Sequence, residues 1–309
     1  MKITIDNIKD KKIRKKLFRY WVLDPVFGTG ELLIHFALRL APLSVNAWVG
    51  DKVGRIAFNV YLKNEAARAR HNFSVLKPEL TKAEVDKLLG AMWGNIGQSL
   101  CEYSILDKLW SKGRVIVDDS RAIDYIKPGK PIILVGVHLG NWEAACYYLE
   151  EKDVSLMAVY RPPRNRFTRW VVEIARKRLK VITVPSDEQP MRKMFKHLKS
   201  NGALWLAIDD FKNSQVHFPR FGRPMPPKGI NATHIIRLAQ HFDAAVIPVQ
   251  VIRTNKPAPS FEVIAHTPIF LADKSEAAAA ECLLTLDKMI EGWIMERPEQ
   301  WFMMHDLRL

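Results

Sequence analysis

The stretch Pro131-Ile132-Ile133-Leu134-Val135-Gly136-Val137-His138-Leu139-Gly140-Asn141-Trp142-Glu143-Ala144-Ala145-Cys146-Tyr147-Tyr148-Leu149 decides how the rest of the chain is read. From Ile132 to Val137 only Gly136 interrupts a run of apolar, mostly branched side chains, the pattern of a central parallel strand covered on both faces. Trp142 and the stretch from Ala144 to Leu149 resume at helical spacing, so the segment predicts a strand that turns at Gly140-Asn141 into a helix. His138 then lies where the strand ends, and ligands gather outside the carboxyl ends of such strands.

A neutral imidazole there can take a proton from an attacking hydroxyl if a second group fixes its tautomer and stabilises the cation that forms. Glu143 is the candidate second group, and the N–H groups that open the predicted helix suit a phosphate or a developing oxyanion. Spacing alone is thin support. With 9 His and 33 Asp+Glu in 309 residues, the pattern His-x4-acid is expected about once by chance. The competing use of His138 is to satisfy a strand-end carbonyl; the surrounding strand, turn and helix favour a site.

Outward from this segment, strands and helices alternate. Val115 to Asp118, Ile132 to Val137, Leu156 to Tyr160, Val181 to Val184, Ala203 to Ile208, Ala245 to Arg253 and Phe261 to Ala265 read as strands. Glu143 to Glu150, Phe167 to Leu179, Gln189 to Ser200, Ala232 to Phe242 and Ser275 to Glu296 read as helices. The alternation predicts an α/β fold with a largely parallel central sheet flanked by helices. Pro219, Pro224, Pro226 and Pro227 make their segment a loop, since they forbid a central strand. Upstream, Leu17 to Leu62 reads as two helices parted by Ala41-Pro-Leu-Ser, followed by a helix from Asn64 to Leu76 that exposes Arg68 and Arg70. Thr81 with Glu84 three residues on forms a capping box opening a helix toward Ser99.

At 309 residues and 48% hydrophobic, the chain suits one large α/β domain, residues 63–309, with an N-terminal helical addition, residues 1–62. Cys101, Cys146 and Cys282 lie far apart, without zinc spacing or a disulfide framework, which suits a reduced, cytoplasmic setting. The net charge of +14 calls for an anionic partner. No zinc finger, RNP-type strand or Arg/Gly-rich arm is present, so nucleic acid is set aside in favour of an anionic membrane surface or an acidic protein. The densest basic clusters are Lys9 to Lys16 and Arg161 to Lys180, and a solvated helix face is the plain reading of each.

Between Trp21 and Leu62 the apolar sequence is broken by Asp24, Glu31, His35, Arg39, Asp51, Lys52 and Arg55, so no run reaches the ~18 to 20 residues of a membrane span. Asp6 and Asp10 also spoil the positive region of a secretory signal. What remains is an amphipathic helical segment, with Leu32-Leu33-Ile34, Phe36-Ala37-Leu38 and Leu40 around His35 and Arg39, suited to lie in the membrane interface. The alternative is an ordinary core hairpin.

Several separated segments together resemble the bacterial lipid A biosynthesis acyltransferases, the late lauroyl/myristoyl transferases, which are related to glycerol-phosphate acyltransferases with a His-x4-Asp/Glu motif. These are Arg70-His-Asn72-Phe-Ser-Val-Leu-Lys-Pro78-Glu79-Leu80, His138-Leu-Gly140-Asn141-Trp142-Glu143, Tyr160-Arg161-Pro162-Pro163-Arg164-Asn165, Leu206-Ala-Ile-Asp209-Asp210, Phe218-Pro-Arg-Phe221-Gly222-Arg223, Ala245-Val-Ile-Pro248 and Pro298-Glu299-Gln300-Trp301-x-x-x-His305. The matches run in order over nearly the whole chain. The chain departs from the pattern at Asp209-Asp210-Phe211, where Asp-Gln-Asp is usual, and at Arg220, where an aromatic is usual, so chain-length choice does not carry over.

The resemblance implies a glycerol-phosphate-acyltransferase-like fold and acyl transfer from acyl carrier protein to a hydroxyl of a lipid A precursor at the cytoplasmic face of the anionic inner membrane. It implies His138 as general base and Glu143 as its orienting acid, with no metal and no cofactor. Arg161, Arg164, Asn165, Asn141 and Arg176 become candidates for binding substrate, since a guanidinium clamps phosphate with two parallel hydrogen bonds. Asp209, preferred to Asp210, is expected to hold an arginine of the site. Phe221 and Gly222, with Phe218, are expected at the rim of an acyl pocket, the glycine allowing close backbone approach, and His305 to pack on Trp301. The alternatives are another lipid acceptor (a lysophospholipid or a phosphatidylinositol mannoside), acyl-CoA as donor, a divalent metal on His138, Glu143 and Asp209 for hydrolysis, and a peripheral membrane-binding protein without catalysis.

Overall fold

A computed structural model describes residues 10–309 except 147, 150, 151, 210, 226–228 and 255–257, and leaves out the side chains of 58 and 59. The basic cluster at Lys9 to Lys16 and the segment 1–62 therefore begin outside the described residues, and Asp210, Pro226 and Pro227 lie outside them altogether.

The chain opens with helices. α1 (Lys11–Phe18), capped by the Asp10 carboxylate, continues through a π-helical turn (Arg19–Leu23) into α2 (Asp24–Leu40), then α3 (Leu43–Tyr61), α4 (Lys63–Leu76), α5 (Lys82–Glu102) and α6 (Leu106–Ser111). The capping box of Thr81 and Glu84 opens α5. The α/β body follows as β1 (Val115–Asp118), β2 (Ile132–Gly136), β3 (Leu156–Tyr160), α7 (Arg166–Arg178), β4 (Ile182–Pro185), α8 (Pro190–Lys199), β5 (Ala203–Ala207), β6 (Phe211–Lys212), β7 (Gln215–Val216), α9 (Asn231–Phe242), β8 (Ala245–Arg253), β9 (Phe261–Ala265) and α10 (Glu276–Glu296).

Seven strands form one sheet in the order β1-β9-β8-β2-β5-β3-β4, and β6 pairs with β7 in a separate small ribbon. All neighbours in the large sheet run parallel except β8 and β9. All five residues of the central strand β2 are buried, as expected of a parallel strand covered on both faces. Its alternation assigns Ile133, Val135 and Val137 to a core shared with α4, α5, α8, α9 and α10. Ile132 and Leu134 face a second core with α6 and α7.

Three expectations need correction. Only a 3-10 turn, Trp142–Cys146, occupies the place of the predicted helix from Glu143 to Glu150, of which residues 147 and 150 are not described. A turn this short has no helix macrodipole to offer an anion. Arg68 is half-buried, donating from Nε to the His305 carbonyl at 3.0 Å, and Arg70 pairs with Asp86 at 2.7 Å; Arg68 thus ties α4 to the chain end rather than pointing into solvent. His305 packs against Trp93 in a tilted arrangement and edge-on to Phe302, with centroids at 5.5 and 5.7 Å, while Trp301 turns its indole N–H toward the sheet edge.

Helix α2 is turned inside out relative to a soluble helix. Asp24 and His35 are buried, and Arg39 grips Asp107 of α6 with two bonds of 2.8 Å. Phe27, Leu33 and Leu40 are 70%, 67% and 86% exposed. Its neighbour α3 packs on α5 through glycine: a Cβ on Gly54 would fall 2.2 Å from the Trp93 carbonyl oxygen, so only glycine permits that approach. On the outside α3 leaves Trp48 and Ile56 exposed.

Candidate active site

The register of two central strands assembles the site. β2 and β5 pair with Gly136 opposite Ala207, so two residues further along each strand His138 and Asp209 emerge side by side at the carboxyl edge of the sheet. The buried Asp209 carboxylate accepts from the His138 backbone N–H at 2.9 Å through Oδ2, and its Oδ1 lies 2.7 Å from His138 Nδ1. Trp301 donates its indole N–H to Oδ2 at 2.8 Å. With the carboxylate as acceptor, the ring proton sits on Nδ1 and the Nε2 lone pair is left for another partner. About a quarter of the His138 side chain (26%) remains exposed.

Rings hold the imidazole in place. Trp142 meets it edge-on with centroids 4.5 Å apart, and Phe302 lies at 6.3 Å. The Phe302 N–H donates to the His138 carbonyl at 2.8 Å, so the strand-end carbonyl is satisfied by backbone and the side chain is free of that duty. Burial pushes the His138 pKa down, but the Asp209 carboxylate and, less strongly, Glu143 outweigh it and leave the imidazole above its ordinary value.

Glu143 is buried at 1% exposure and engages Arg176, not the imidazole. Arg176 Nε lies 3.1 and 3.2 Å from its two oxygens, and Arg176 Nη2 donates to Oε1. The Tyr103 hydroxyl donates to Oε1 as well, at 2.9 Å. Burial alone pushes the Glu143 carboxyl up; the adjacent guanidinium and these hydrogen bonds reverse that and hold it below the usual carboxylate value. Arg176 Nη1 is buried without a hydrogen-bond partner, an uncommon state for a cationic nitrogen. Two expected roles therefore change hands. Asp209, expected to hold an arginine, fixes His138, and Glu143, expected to orient His138, holds the arginine while contributing to the imidazole's field from nearby.

The loop between them is fastened from below. Gly140, at φ +60, passes so close to β8 that a Cβ would lie 2.7 Å from the Val251 carbonyl oxygen, which makes glycine obligatory there. Its N–H donates to the Gln300 carbonyl at 3.0 Å. Asn141 accepts from the Glu143 N–H at 3.1 Å and donates to Glu102 Oε2 at 2.7 Å. Glu102 in turn forms a buried ion pair with Arg253 at the end of β8. Both ends of the Asn141 amide are thus engaged within the protein. The consecutive residues Glu102 and Tyr103, at the end of α5, carry both halves of the loop.

The remaining candidates are spread out. Arg161, directly after β3, and Arg164 are exposed at the same sheet edge. Asn165, expected to touch substrate, is committed to capping α7: its oxygen accepts from the Phe167 N–H at 2.9 Å and its amide reaches the Asp24 carbonyl at 3.4 Å. Phe221 lies 5.7 Å, centroid to centroid, from Trp301. Gly222 is exposed with open space around its Cα and φ +76, so it serves a left-handed turn, not close approach to a chain. Among the described residues no group of three His, Cys, Asp or Glu is placed to hold a metal ion.

Sequence reasoning passed over Tyr103, Glu102, Arg253 and the role of Trp301. An acid at position 102 inside an apolar helical pattern, and a cation at 253 ending a strand that is otherwise apolar but for Gln250, were the available signals, since buried charge requires a partner.

Residues 9–308 match the family described as Bacterial lipid A biosynthesis acyltransferase. The Lipid A biosynthesis palmitoleoyltransferase of Escherichia coli (strain K12) is 27% identical over 294 residues, covering 93% of this chain and 90% of that protein. The Lipid A biosynthesis acyltransferase of Shigella flexneri is similar to the same extent, 27% over 294 residues with 93% and 90% covered. Among solved structures, the 1-acyl-sn-glycerophosphate (LPA) acyltransferase PlsC from Thermotoga maritima aligns with a TM-score of 0.39 at 12% identity, covering 84% of this chain and 96% of that one.

Proposed function

Because the chain belongs to the bacterial lipid A biosynthesis acyltransferase family and is therefore an acyltransferase, we propose that it transfers a fatty acyl chain from acyl carrier protein to a hydroxyl of a lipid A precursor, with His138 as general base. The observation that carries this reading is the pairing of His138 Nδ1 with the buried Asp209 carboxylate at 2.7 Å, which leaves the Nε2 lone pair for another partner. The acceptor hydroxyl gives its proton to Nε2 as its oxygen attacks the thioester carbonyl. Asp209 stabilises the imidazolium at contact distance and Glu143 at longer range. The buried Arg176, with Nη1 unpartnered, supplies positive charge for the tetrahedral oxyanion. Collapse expels the thiolate of the donor arm, which takes up the proton held on Nε2. The exposed Arg161 and Arg164 suit the phosphates of acceptor or donor.

Residues 1–62 act, on this reading, as the membrane-associating segment. The outward apolar residues of α2 and α3 support it, as does the half-exposed Trp21 (50%) in the π-helical turn, where Arg166 of α7 stacks near it. Among the described residues no helix is long and apolar enough to cross a membrane. On this reading the segment lies in the interface plane, on the cytoplasmic face of the inner membrane.

Transfer of a labelled acyl chain from acyl carrier protein to a purified lipid A precursor, read by mass spectrometry, tests the proposal. Wild type adds one chain, and His138→Ala loses ~100-fold or more of the rate. Equal rates for the two proteins refute the general base; equal use of acyl-CoA refutes the donor.

A further inference from the structure

We propose that the outer face of α8 is the docking surface for the acidic, acyl-bearing donor protein; the inference rests on the donor reading above. Of the ten residues of α8 only Met194 and Leu198 are buried. On the opposite side Met191 and Phe195, one turn apart, are each 41% exposed. Arg192, Lys196 and Lys199 run beside them at i, i+4 and i+7, all exposed, and the helix carries no carboxylate. Lys193 pairs with Glu188 at 2.9 Å. Arg192, Lys196 and Lys199 form no ion pair with another described residue. His241 of α9 adds to the patch, its ring 4.9 Å from that of Phe195.

Folding accounts for only part of this pattern. Like charges one turn apart repel. Lys196 and Lys199 sit in the last turn, where the helix dipole favours cations, but Arg192 lies in the first turn, where it does not. Two apolar anchors flanked by unpaired cations match a partner surface that is acidic with apolar contacts at its centre.

The position fits a donor. β2, β5, β3 and β4 are parallel neighbours, so α8 starts at the edge where His138 sits, three strand spacings or about 14 Å away. That is within reach of the flexible thiol arm of an acyl carrier. Met191 also lines a cavity of about 210 Å³ together with Met194, Val159 and Leu206, and Leu206 lies three positions before Asp209 in the chain. A bilayer is the less suitable partner for this face. α8 packs into the core that holds Met194 and Leu198, whereas α7, which leans on the apolar helix α2, packs into the core on the other side of the sheet through Ala175. Donor docking on α8 and membrane contact through α2 then fall on opposite faces of the sheet.

The test measures binding of fluorescently labelled holo-acyl carrier protein to the full-length enzyme by anisotropy, for wild type, R192E/K196E/K199E and the milder R192Q/K196Q/K199Q. The expected result is a Kd raised about tenfold or more by reversal and less by neutralisation, with wild-type binding weakening as salt rises. Melting temperature and binding to vesicles containing phosphatidylglycerol stay unchanged. If wild type binds the carrier and the variants bind it equally, the docking surface is wrong and the donor reading stands. If vesicle binding is what the variants lose, the patch is a membrane contact and the proposal fails. If wild type does not bind the carrier, the donor reading falls and takes this inference with it.

Discussion

Asp209→Asn separates the chemistry of this site from its architecture. The carboxylate accepts three hydrogen bonds, with Oδ2 receiving both the His138 N–H and the Trp301 indole N–H, and Oδ1 facing Nδ1. An asparagine keeps the shape but has one acceptor oxygen, and the two donors at Oδ2 claim it. Its NH2 group then faces Nδ1, so the imidazole must shed that proton and carry one on Nε2, the nitrogen that is to act as base. Loss of a general base costs ~10² to 10⁴ in rate, or about 2.7 to 5.4 kcal/mol of transition-state stabilisation. Folding is less affected, because the contact to Nδ1 is remade with opposite polarity. The pH profile supplies a second readout. In the wild type the raised His138 pKa puts the acid limb of kcat/KM above the ordinary imidazole value, and in the variant burial lowers the pKa unopposed by Asp209, so the residual acid limb moves to lower pH. The same raised pKa contributes stability that is fully present below the unfolded imidazole value of about 6.5 and is lost as pH rises through the folded one. The assay is labelled acyl transfer from pH 5 to about 9, spanning the imidazole range, with parallel melting curves. A kcat within tenfold of wild type, or an acid limb that stays in place, refutes this assignment of Asp209.

Other perturbations have different signatures. Glu143→Gln leaves the bond to Nδ1 intact but strands a buried Arg176, so the loss of activity comes with roughly 3–5 kcal/mol of lost stability; denaturant unfolding that shows no destabilisation contradicts the buried pair. Acid unfolding of the wild type should reflect the same pair, since the depressed Glu143 pKa contributes stability that is present above its ordinary value of about 4.3 and disappears as pH falls through the folded value. Gly140→Ala meets both a left-handed backbone and the Val251 carbonyl, and costs about 1–3 kcal/mol from the backbone alone as well as activity; a fully active, equally stable variant would show that the loop is not held as described. Phe27→Ser combined with Leu33→Ser removes two outward side chains from α2, each worth about 1.5–3 kcal/mol of apolar burial. Vesicle sedimentation should show binding weakened ~100-fold or more with melting unchanged, and unaltered binding would exclude that face from the membrane.

Much of the architecture was legible because its signals are local. The strands from Ala245 to Arg253 and from Phe261 to Ala265 run as read, since unbroken or alternating apolar side chains leave a strand little choice of partner environment. The capping box at Thr81 is a contact between residues three apart, and the family likeness rests on blocks that a linear sequence displays. His138 and Glu143 stand out for the same reason, as side chains at a predicted strand end. Their partners do not. Asp209 reaches His138 because β2 lies beside β5 in a register that sets Gly136 against Ala207, and Arg176 reaches Glu143 from a helix thirty-three residues on. The 3-10 turn at Trp142–Cys146 likewise follows from anchorage by Gln300, Glu102 and Val251, which helical periodicity does not register. Residue types and spacing determined which chemistry the chain can carry. Only the tertiary structure decided which acid holds the base and which holds the arginine, because an ion pair is set by distance and burial, and both come from strand register and helix packing across segments far apart in the chain.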